Sequence, residues 1–137
     1  MVVDASVALA WCFPDESSLY AEAVLEALKG NTMWVPSLWA IEVTNGLVVG
    51  RRRKRLESSS VRRFLALLDQ LPILQDHRPL TETMQTVLPL AEQFGLTAYD
   101  AAYLELAARH DAPLATLDDG LQKAARKAGV TLLSGGR

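Results

Sequence analysis

The hydrophobic residues of the chain fall into short apolar runs separated by longer stretches with helical spacing. The runs show no alternation of apolar and polar residues, which is typical of strands buried on both faces of a parallel sheet. They predict five strands, at residues 2–4, 33–35, 72–74, 114–117 and 130–133.

Apolar residues recur every three or four positions between these runs, as they do on the buried face of a helix. Strands that alternate with helices predict an α/β fold with a parallel sheet. Two of the predicted helices, near residues 38–49 and 60–70, follow one another without a strand between them. They are joined by a basic turn, so we expect a helical hairpin inserted on the sheet.

The first strand should end at Asp4, whose carboxylate we expect in the crevice where open α/β sheets bind ligands. Ser6 follows two residues later and is expected to cap the next helix. One tight turn would then bring a carboxylate and a hydroxyl to the same place.

The chain has 137 residues, half of them hydrophobic, so we expect a single domain over residues 1–137. Cys12 is the only cysteine and cannot form an internal disulfide. This indicates a reducing compartment, and we predict a cytoplasmic protein. No apolar stretch approaches the roughly 20 residues that a membrane span needs, so we predict no membrane association.

The formal net charge of −2 does not by itself indicate a nucleic-acid partner. The turn of the hairpin, however, carries five consecutive basic residues: Arg51, Arg52, Arg53, Lys54 and Arg55. Such a run is either a solvated turn or a contact surface for a phosphate backbone. The local density of charge favours RNA contact.

Acidic residues occupy equivalent places along the chain. Asp4 and Asp118 each follow an apolar strand, Asp100 lies in the first turn of a helix, and Glu42 lies on the helix after the second strand. Strand carboxyl ends and the following helix N-termini share one edge of a parallel sheet, so these acids should converge. Crowded carboxylates repel one another, and a hard divalent cation is the usual remedy, which implies Mg²⁺ or Mn²⁺.

Each acid also has a structural alternative. Asp4 and Asp118 could be helix N-caps, and Asp100 could form a capping box with Thr97. Glu42 could lie at the solvated edge of its helix. The functional interpretation depends on their joint placement.

Four motifs, taken in order, resemble those of a PIN-domain ribonuclease, in particular a VapC-type toxin of a type II toxin–antitoxin module. They are Val-Val-Asp-Ala-Ser at residues 2–6, Glu-Val-Thr-Asn at 42–45, Leu-Thr-Ala-Tyr-Asp-Ala-Ala-Tyr at 96–103 and Leu-Ala-Thr-Leu-Asp at 114–118. The resemblance covers nearly the whole chain.

The resemblance implies a three-layer α/β/α fold with about five parallel strands and an acidic pocket at their carboxyl ends. It implies metal-dependent cleavage of RNA that leaves a 5′-phosphate and a 3′-hydroxyl. It also implies a homodimer and neutralisation by a VapB-like antitoxin.

The same resemblance assigns roles to individual residues. Matched position by position, the acidic quartet that holds the metal is Asp4, Glu42, Asp100 and Asp118. The polar residues that support it are Ser6, Asn45 and Thr116, with Asp119 beside a variable position as a weaker candidate.

Two readings from other classes stay open. A degenerate PIN fold that only binds RNA or a partner would lack a quartet member, and none is missing here. An acid-cluster phosphatase is the other. Receiver domains need a lysine after the last strands, and none follows Leu133; haloacid dehalogenase-like phosphatases need Asp-x-Asp, where this chain has Ser6.

Overall fold

The computed structural model describes residues 1–13 and 18–134 of the chain. Its strands are β1 (Val2–Val3), β2 (Met33–Val35), β3 (Ile73–Gln75) and β4 (Leu114–Ala115). Its helices are α1 (Ala5–Cys12), α2 (Leu19–Ala27), α3 (Trp39–Arg52), α4 (Ser58–Gln70), α5 (Leu80–Phe94), α6 (Ala98–Arg109) and α7 (Asp119–Ala128). None of these helices is long and apolar enough to cross a membrane.

The strands form one parallel sheet in the order β3-β2-β1-β4. Val2 pairs with Trp34 on one side and with Leu114 on the other. Both residues of β1 are fully buried, as the unbroken apolar run predicts for a central strand. The predicted α/β class with a parallel sheet is therefore confirmed.

The fifth predicted strand, at residues 130–133, is reduced to a single parallel bridge between Leu132 and Leu114. Two hydrogen bonds frame the bridge, from the Leu114 amide to the Thr131 carbonyl and from the Leu133 amide to the Leu114 carbonyl. Because β4 is only two residues long, it offers too short an edge for a longer ladder. The described part of the sheet thus has four strands rather than about five.

Helices on both faces complete the three-layer arrangement. Helix α6 packs against β1, β2 and β4, and α5 and α7 pack against α6. Helix α1 packs against α2, α3 and α4. The hairpin of α3 and α4 lies between β2 and β3 in the chain, as predicted.

Two glycines let α3 lie close to the chain of α1. A Cβ at Gly46 would come within 2.5 Å of Leu9 Cδ1, and one at Gly50 within 2.5 Å of Phe13 Cζ. Real Cβ atoms do not come this close, so a larger residue at either position would have to displace the Leu9 or the Phe13 side chain. This contact sets the position of the helix that carries Glu42.

Helix α6 is tied to the loop after β3 by buried charges. Glu105 accepts hydrogen bonds from Arg78 at 2.9 Å and from Arg109 at 2.8 Å, and it is only 8% exposed. Arg109 also donates to Asp76 at 2.6 Å. Burial opposes ionisation of Asp76, but the Arg109 hydrogen bond and the charges of Arg109, His110 and Arg78 together outweigh it, so the pKa of Asp76 is lowered. The position of α6, and with it of Asp100, is fixed by this network.

The expected role of Ser6 as helix cap is wrong. Helix α1 begins at Ala5, and the N-cap is Asp4, whose side chain accepts from the Val7 amide at 3.2 Å. Asp4 has the extended backbone that an N-cap requires, with φ −80° and ψ 173°, whereas Ser6 already lies inside the helix. The hydroxyl of Ser6 is consequently available to contact Asp4.

Candidate active site

The sheet places a crevice between β1 and β4. The chain passes from β1 to β2 and β3 and then returns to form β4 on the other side of β1. Ligands of open α/β sheets bind at such a reversal, outside the carboxyl ends of the strands. Asp4 directly follows β1 and Thr116 directly follows β4, so both lie at this point.

Asp4 is held there by three donors. Its Oδ1 accepts from the Ser6 hydroxyl at 2.6 Å and from the Val7 amide, and its Oδ2 accepts from the Thr116 hydroxyl. The side chain is 5% exposed, and this burial raises its pKa, although the hydrogen bonds from Ser6, Thr116 and Val7 act in the opposite direction.

The two hydroxyls that hold Asp4 are themselves oriented by backbone amides. Ser6 Oγ accepts from the Leu117 amide at 3.0 Å, and Thr116 Oγ1 accepts from the Asp118 amide at 3.0 Å. Each hydroxyl has one proton, which it donates to Asp4. The segment after β4 therefore fixes the Asp4 carboxylate through two side chains.

Asp118 is the N-cap of α7, and its Oδ2 accepts from the Leu121 amide at 2.7 Å. The structural alternative considered for Asp4 and Asp118 is thus confirmed for both residues. It does not exclude a role in binding, because Asp118 is exposed and its Oδ1 has no hydrogen bond to any residue that the structure describes.

Asp100 lies in the first turn of α6. Its amide donates to Thr97 Oγ1 at 3.2 Å, which confirms one half of the predicted capping box. The other half is missing, since the Asp100 carboxylate has no hydrogen-bond donor within residues 1–13 and 18–134. Burial raises the pKa of Asp100, and the charges of Asp118, Asp4 and Glu42 raise it further, in that order. The other three predicted acids therefore lie within electrostatic reach of Asp100.

Glu42 approaches the same edge from the first turn of α3 and is partly buried. Its Oε1 accepts a hydrogen bond of 2.5 Å from the hydroxyl of Tyr103. Burial and then this contact raise the pKa of Tyr103 well above its ordinary value. The sequence pattern assigns no role to Tyr103, although its spacing of three residues from Asp100 places both on one helix face.

The predicted supporting residue Asn45 and the weaker candidate Asp119 stand apart from these contacts. Asn45 is exposed on α3, three residues after Glu42, and Asp119 is exposed as the first residue of α7. Among the described residues, neither side chain forms a hydrogen bond to Asp4, Glu42, Asp100 or Asp118.

The basic run lies at the far end of α3 and in the turn that follows it. Arg51 comes nine residues after Glu42, or about 14 Å along the helix. All five side chains are exposed, but Arg51 donates to the Leu56 carbonyl at 2.9 Å and the Arg55 guanidinium lies 4.6 Å from the Phe13 ring centroid. These two arginines are therefore partly used by the fold.

The donor set suits a hydrated magnesium or manganese ion. In the described part of the chain, no three acidic, histidine or cysteine side chains are close enough to hold one ion together. Mg²⁺ typically keeps several waters and binds one or two carboxylates, so it needs no such cluster. The carboxylate of Asp100 accepts no hydrogen bond from the residues that the structure describes and is repelled by its acidic neighbours, so it fits such an ion.

Comparisons with known proteins give a consistent result. A family model described as PIN domain matches residues 1–127. The chain is 37% identical over 120 residues to "Ribonuclease VapC3" of Pyrobaculum aerophilum, covering 86% of this chain and 88% of that protein.

Solved structures agree with this match. PAE2754 of Pyrobaculum aerophilum superposes with a TM-score of 0.67 at 27% identity, over 90% of this chain and 77% of that one. FitAcB of Neisseria gonorrhoeae superposes with a TM-score of 0.65 over 98% and 96%, at 19% identity, which is evidence for the fold alone.

Proposed function

The chain belongs to the PIN domain family and is of the VapC type, and on that basis we propose that it is a metal-dependent endoribonuclease that acts as the toxin of a toxin–antitoxin pair. The observation that carries the proposal is the carboxylate of Asp4, held at the switch point between β1 and β4 and lying, like Glu42 and Asp118, within electrostatic reach of Asp100. The name of the relative, a ribonuclease, supports RNA as substrate.

The metal-binding residues we propose are Asp4, Glu42, Asp100 and Asp118. Mg²⁺ or Mn²⁺ bound there would supply Lewis acidity toward the scissile phosphate and a water of lowered pKa. Ser6 and Thr116 keep Asp4 in one orientation, and Asp100 offers a carboxylate that accepts no hydrogen bond from the described residues. The expected products carry a 5′-phosphate and a 3′-hydroxyl. We propose Asn45 as a further supporting residue of the site and Asp119 as a weaker candidate.

The alternative of an acid-cluster phosphatase has less support. Such enzymes need a second carboxylate where this chain has Ser6, and the Ser6 hydroxyl donates to Asp4 instead. The alternative of a silent PIN fold predicts that the wild type cleaves no RNA, so that the RNA ends do not differ between the wild type and Asp4→Asn. Sequencing of RNA ends after induction of the wild-type and Asp4→Asn proteins tests both. We expect new 5′-phosphate ends at defined positions with the wild type only, and equal ends from both proteins would refute the assigned site.

A small antitoxin is the partner that completes the proposal. An apolar groove between α3 and α4 supports it, because the groove joins an apolar floor to a basic rim and so suits an acidic amphipathic segment. The floor includes Leu47, Val48, Val61 and Leu65, and the rim includes Arg51, Arg52 and Arg62. Co-purification of a small acidic protein that protects Leu65 from hydrogen exchange would support this assignment. Binding that leaves the groove unprotected would move the partner elsewhere.

A further inference from the structure

Tyr103 is a buried side chain that joins three acid-bearing segments. It is 1% exposed, and its hydroxyl donates to Glu42 of α3. The backbone of Ala5, the residue after Asp4, also lies near this hydroxyl, and its hydrogen-bonding influence lowers the pKa of Tyr103. Asp100 lies one turn earlier on the same helix as Tyr103.

A packing role would not require the hydroxyl. Phenylalanine would fill the same buried volume, whereas a buried phenol needs a hydrogen-bond partner. Here the partner is a carboxylate, which makes the bond charge-assisted and stronger than a neutral one. The hydroxyl is therefore placed where it acts on Glu42.

The contact limits the freedom of a long side chain. Glu42 has three rotatable bonds, and an unrestrained glutamate loses rotamer entropy each time it binds a ligand. The bond from Tyr103 engages Oε1 and leaves Oε2 without a hydrogen bond to the described residues. Glu42 is thus oriented before any ion or substrate arrives.

We propose that Tyr103 is a positioning residue that acts through Glu42, holding its carboxylate ready for the divalent ion. The inference rests on the proposed function and extends it to a residue outside the acidic quartet. Partners that orient metal ligands in this way typically change metal affinity by about 10–100-fold when they are removed.

The first test is calorimetric titration of Mn²⁺ into the wild type and Tyr103→Phe. We expect Tyr103→Phe to bind Mn²⁺ at least about tenfold more weakly. Tyr99→Phe is the matched control, because Tyr99 lies on the same helix and is 61% exposed. The control should bind as the wild type does. Wild-type affinity in Tyr103→Phe would overturn the inference.

A double-mutant cycle separates positioning from a general structural role. In a Glu42→Gln background the Tyr103→Phe change should have almost no further effect on Mn²⁺ affinity, because the residue through which it acts is already altered. An equal loss in both backgrounds would overturn the inference. Glu42→Asp is a second variant, in which Tyr103 is unchanged. Its side chain is too short to keep the hydrogen bond with Tyr103, so it should lose about as much Mn²⁺ affinity as Tyr103→Phe does.

The two proposals fail in different ways. If the wild type binds no Mn²⁺ and Glu42→Gln behaves identically, the proposed metal-dependent function fails and the role of Tyr103 fails with it. If the wild type binds Mn²⁺ and Glu42→Gln weakens binding while Tyr103→Phe does not, only the role of Tyr103 fails.

Discussion

Asp100 is the acid of the pocket whose negative charge is least compensated by hydrogen bonds from the described residues. Burial and the charges of Asp118, Asp4 and Glu42 all disfavour its ionised form, and none of the described residues donates a hydrogen bond to its carboxylate. Its folded pKa is raised above 3.8, so the folded state binds more protons than the unfolded state just above that pH. Stability should therefore fall as pH rises through this window.

Asp100→Asn removes that charge, and we expect the variant to be more stable than the wild type at neutral pH without metal. The difference should shrink as pH falls toward 3.8, where the wild-type carboxyl becomes protonated. Chemical denaturation with a chelator, between about pH 3 and pH 8, measures it. Asp69→Asn, on the exposed face of α4, is the control and should change little. Equal stability of Asp100→Asn and the wild type at neutral pH would contradict the crowded-pocket account.

Thr116 has an oriented hydroxyl with no access to water. Thr116→Val keeps the side-chain shape but removes the donor to Asp4 Oδ2 and the acceptor of the Asp118 amide, so we expect a loss of about 1–3 kcal/mol in the free energy of unfolding. Thr44→Val is the control, since its hydroxyl donates to the Ala40 carbonyl on an exposed helix face. Denaturation curves of the two variants give the comparison. Similar losses of unfolding free energy in both variants would show that the hydrogen bond to Asp4 contributes no more to stability than an exposed one.

Individual residues differ in how far the sequence could predict them. Asp4 and Asp118 follow apolar strands, and strand ends locate a side chain well. The hydrogen bond from Tyr103 to Glu42 joins two residues that are 61 positions apart on different helices, and no local pattern encodes such a contact. The capping interpretation and the site interpretation are compatible for Asp118, because Oδ2 caps α7 and Oδ1 has no hydrogen bond to the described residues.

At the scale of elements, the turn between α3 and α4 has a mixed character. Arg51 donates to the Leu56 carbonyl, and Arg55 lies over the Phe13 ring. Arg52, in the last turn of α3, and Arg53, its C-cap, are exposed. We therefore expect RNA contact, if it occurs here, to depend on Arg52 and Arg53 more than on their neighbours.

The double variant Arg52→Ala/Arg53→Ala should weaken RNA binding equally at all sequences. A plot of log affinity against log salt concentration has a negative slope. Each lost phosphate contact should reduce the magnitude of this slope by roughly 0.7 for single-stranded RNA. Filter binding at several salt concentrations measures the slope. Arg126→Ala/Lys127→Ala, in the last turn of α7, removes the same charge elsewhere. An unchanged slope in the first variant would identify the basic run as a solvated turn.

The sequence predicts strands poorly where their pairing depends on the length of a neighbouring strand. The run at residues 130–133 has the composition of a strand, yet it pairs only through Leu132 because β4 presents so short an edge. Composition reports that a segment can form a strand, but the length of a ladder is set by its partner.

At the scale of the whole molecule, α5 carries an exposed apolar ridge. Leu80, Met84 and Leu88 are spaced four residues apart and are 84%, 68% and 59% exposed. Contiguous exposed apolar surface often marks an interface, which supports the proposed homodimer.

We expect light scattering to give the mass of a dimer at tens of micromolar, an approximate range in which weak interfaces are occupied. Met84→Glu should shift the protein to a monomer if the ridge of α5 forms the contact. Leu19→Glu, at a residue of α2 that is 86% exposed, is the control and should remain dimeric. A monomeric wild type would refute the dimer, and a dimeric Met84→Glu would place the interface elsewhere.

RNA cleavage with and without added Mg²⁺, by the purified wild type and Asp100→Asn, tests the central claim most directly. The wild type should cleave RNA only when the ion is present. Asp100→Asn, although folded, should be at least about 100-fold slower at the same ion concentration, because the cation loses a carboxylate to which none of the described residues donates a hydrogen bond. Cleavage by the wild type in a chelator, or cleavage by folded Asp100→Asn at the wild-type rate, would contradict the assignment of this acidic pocket as a metal-dependent nuclease site.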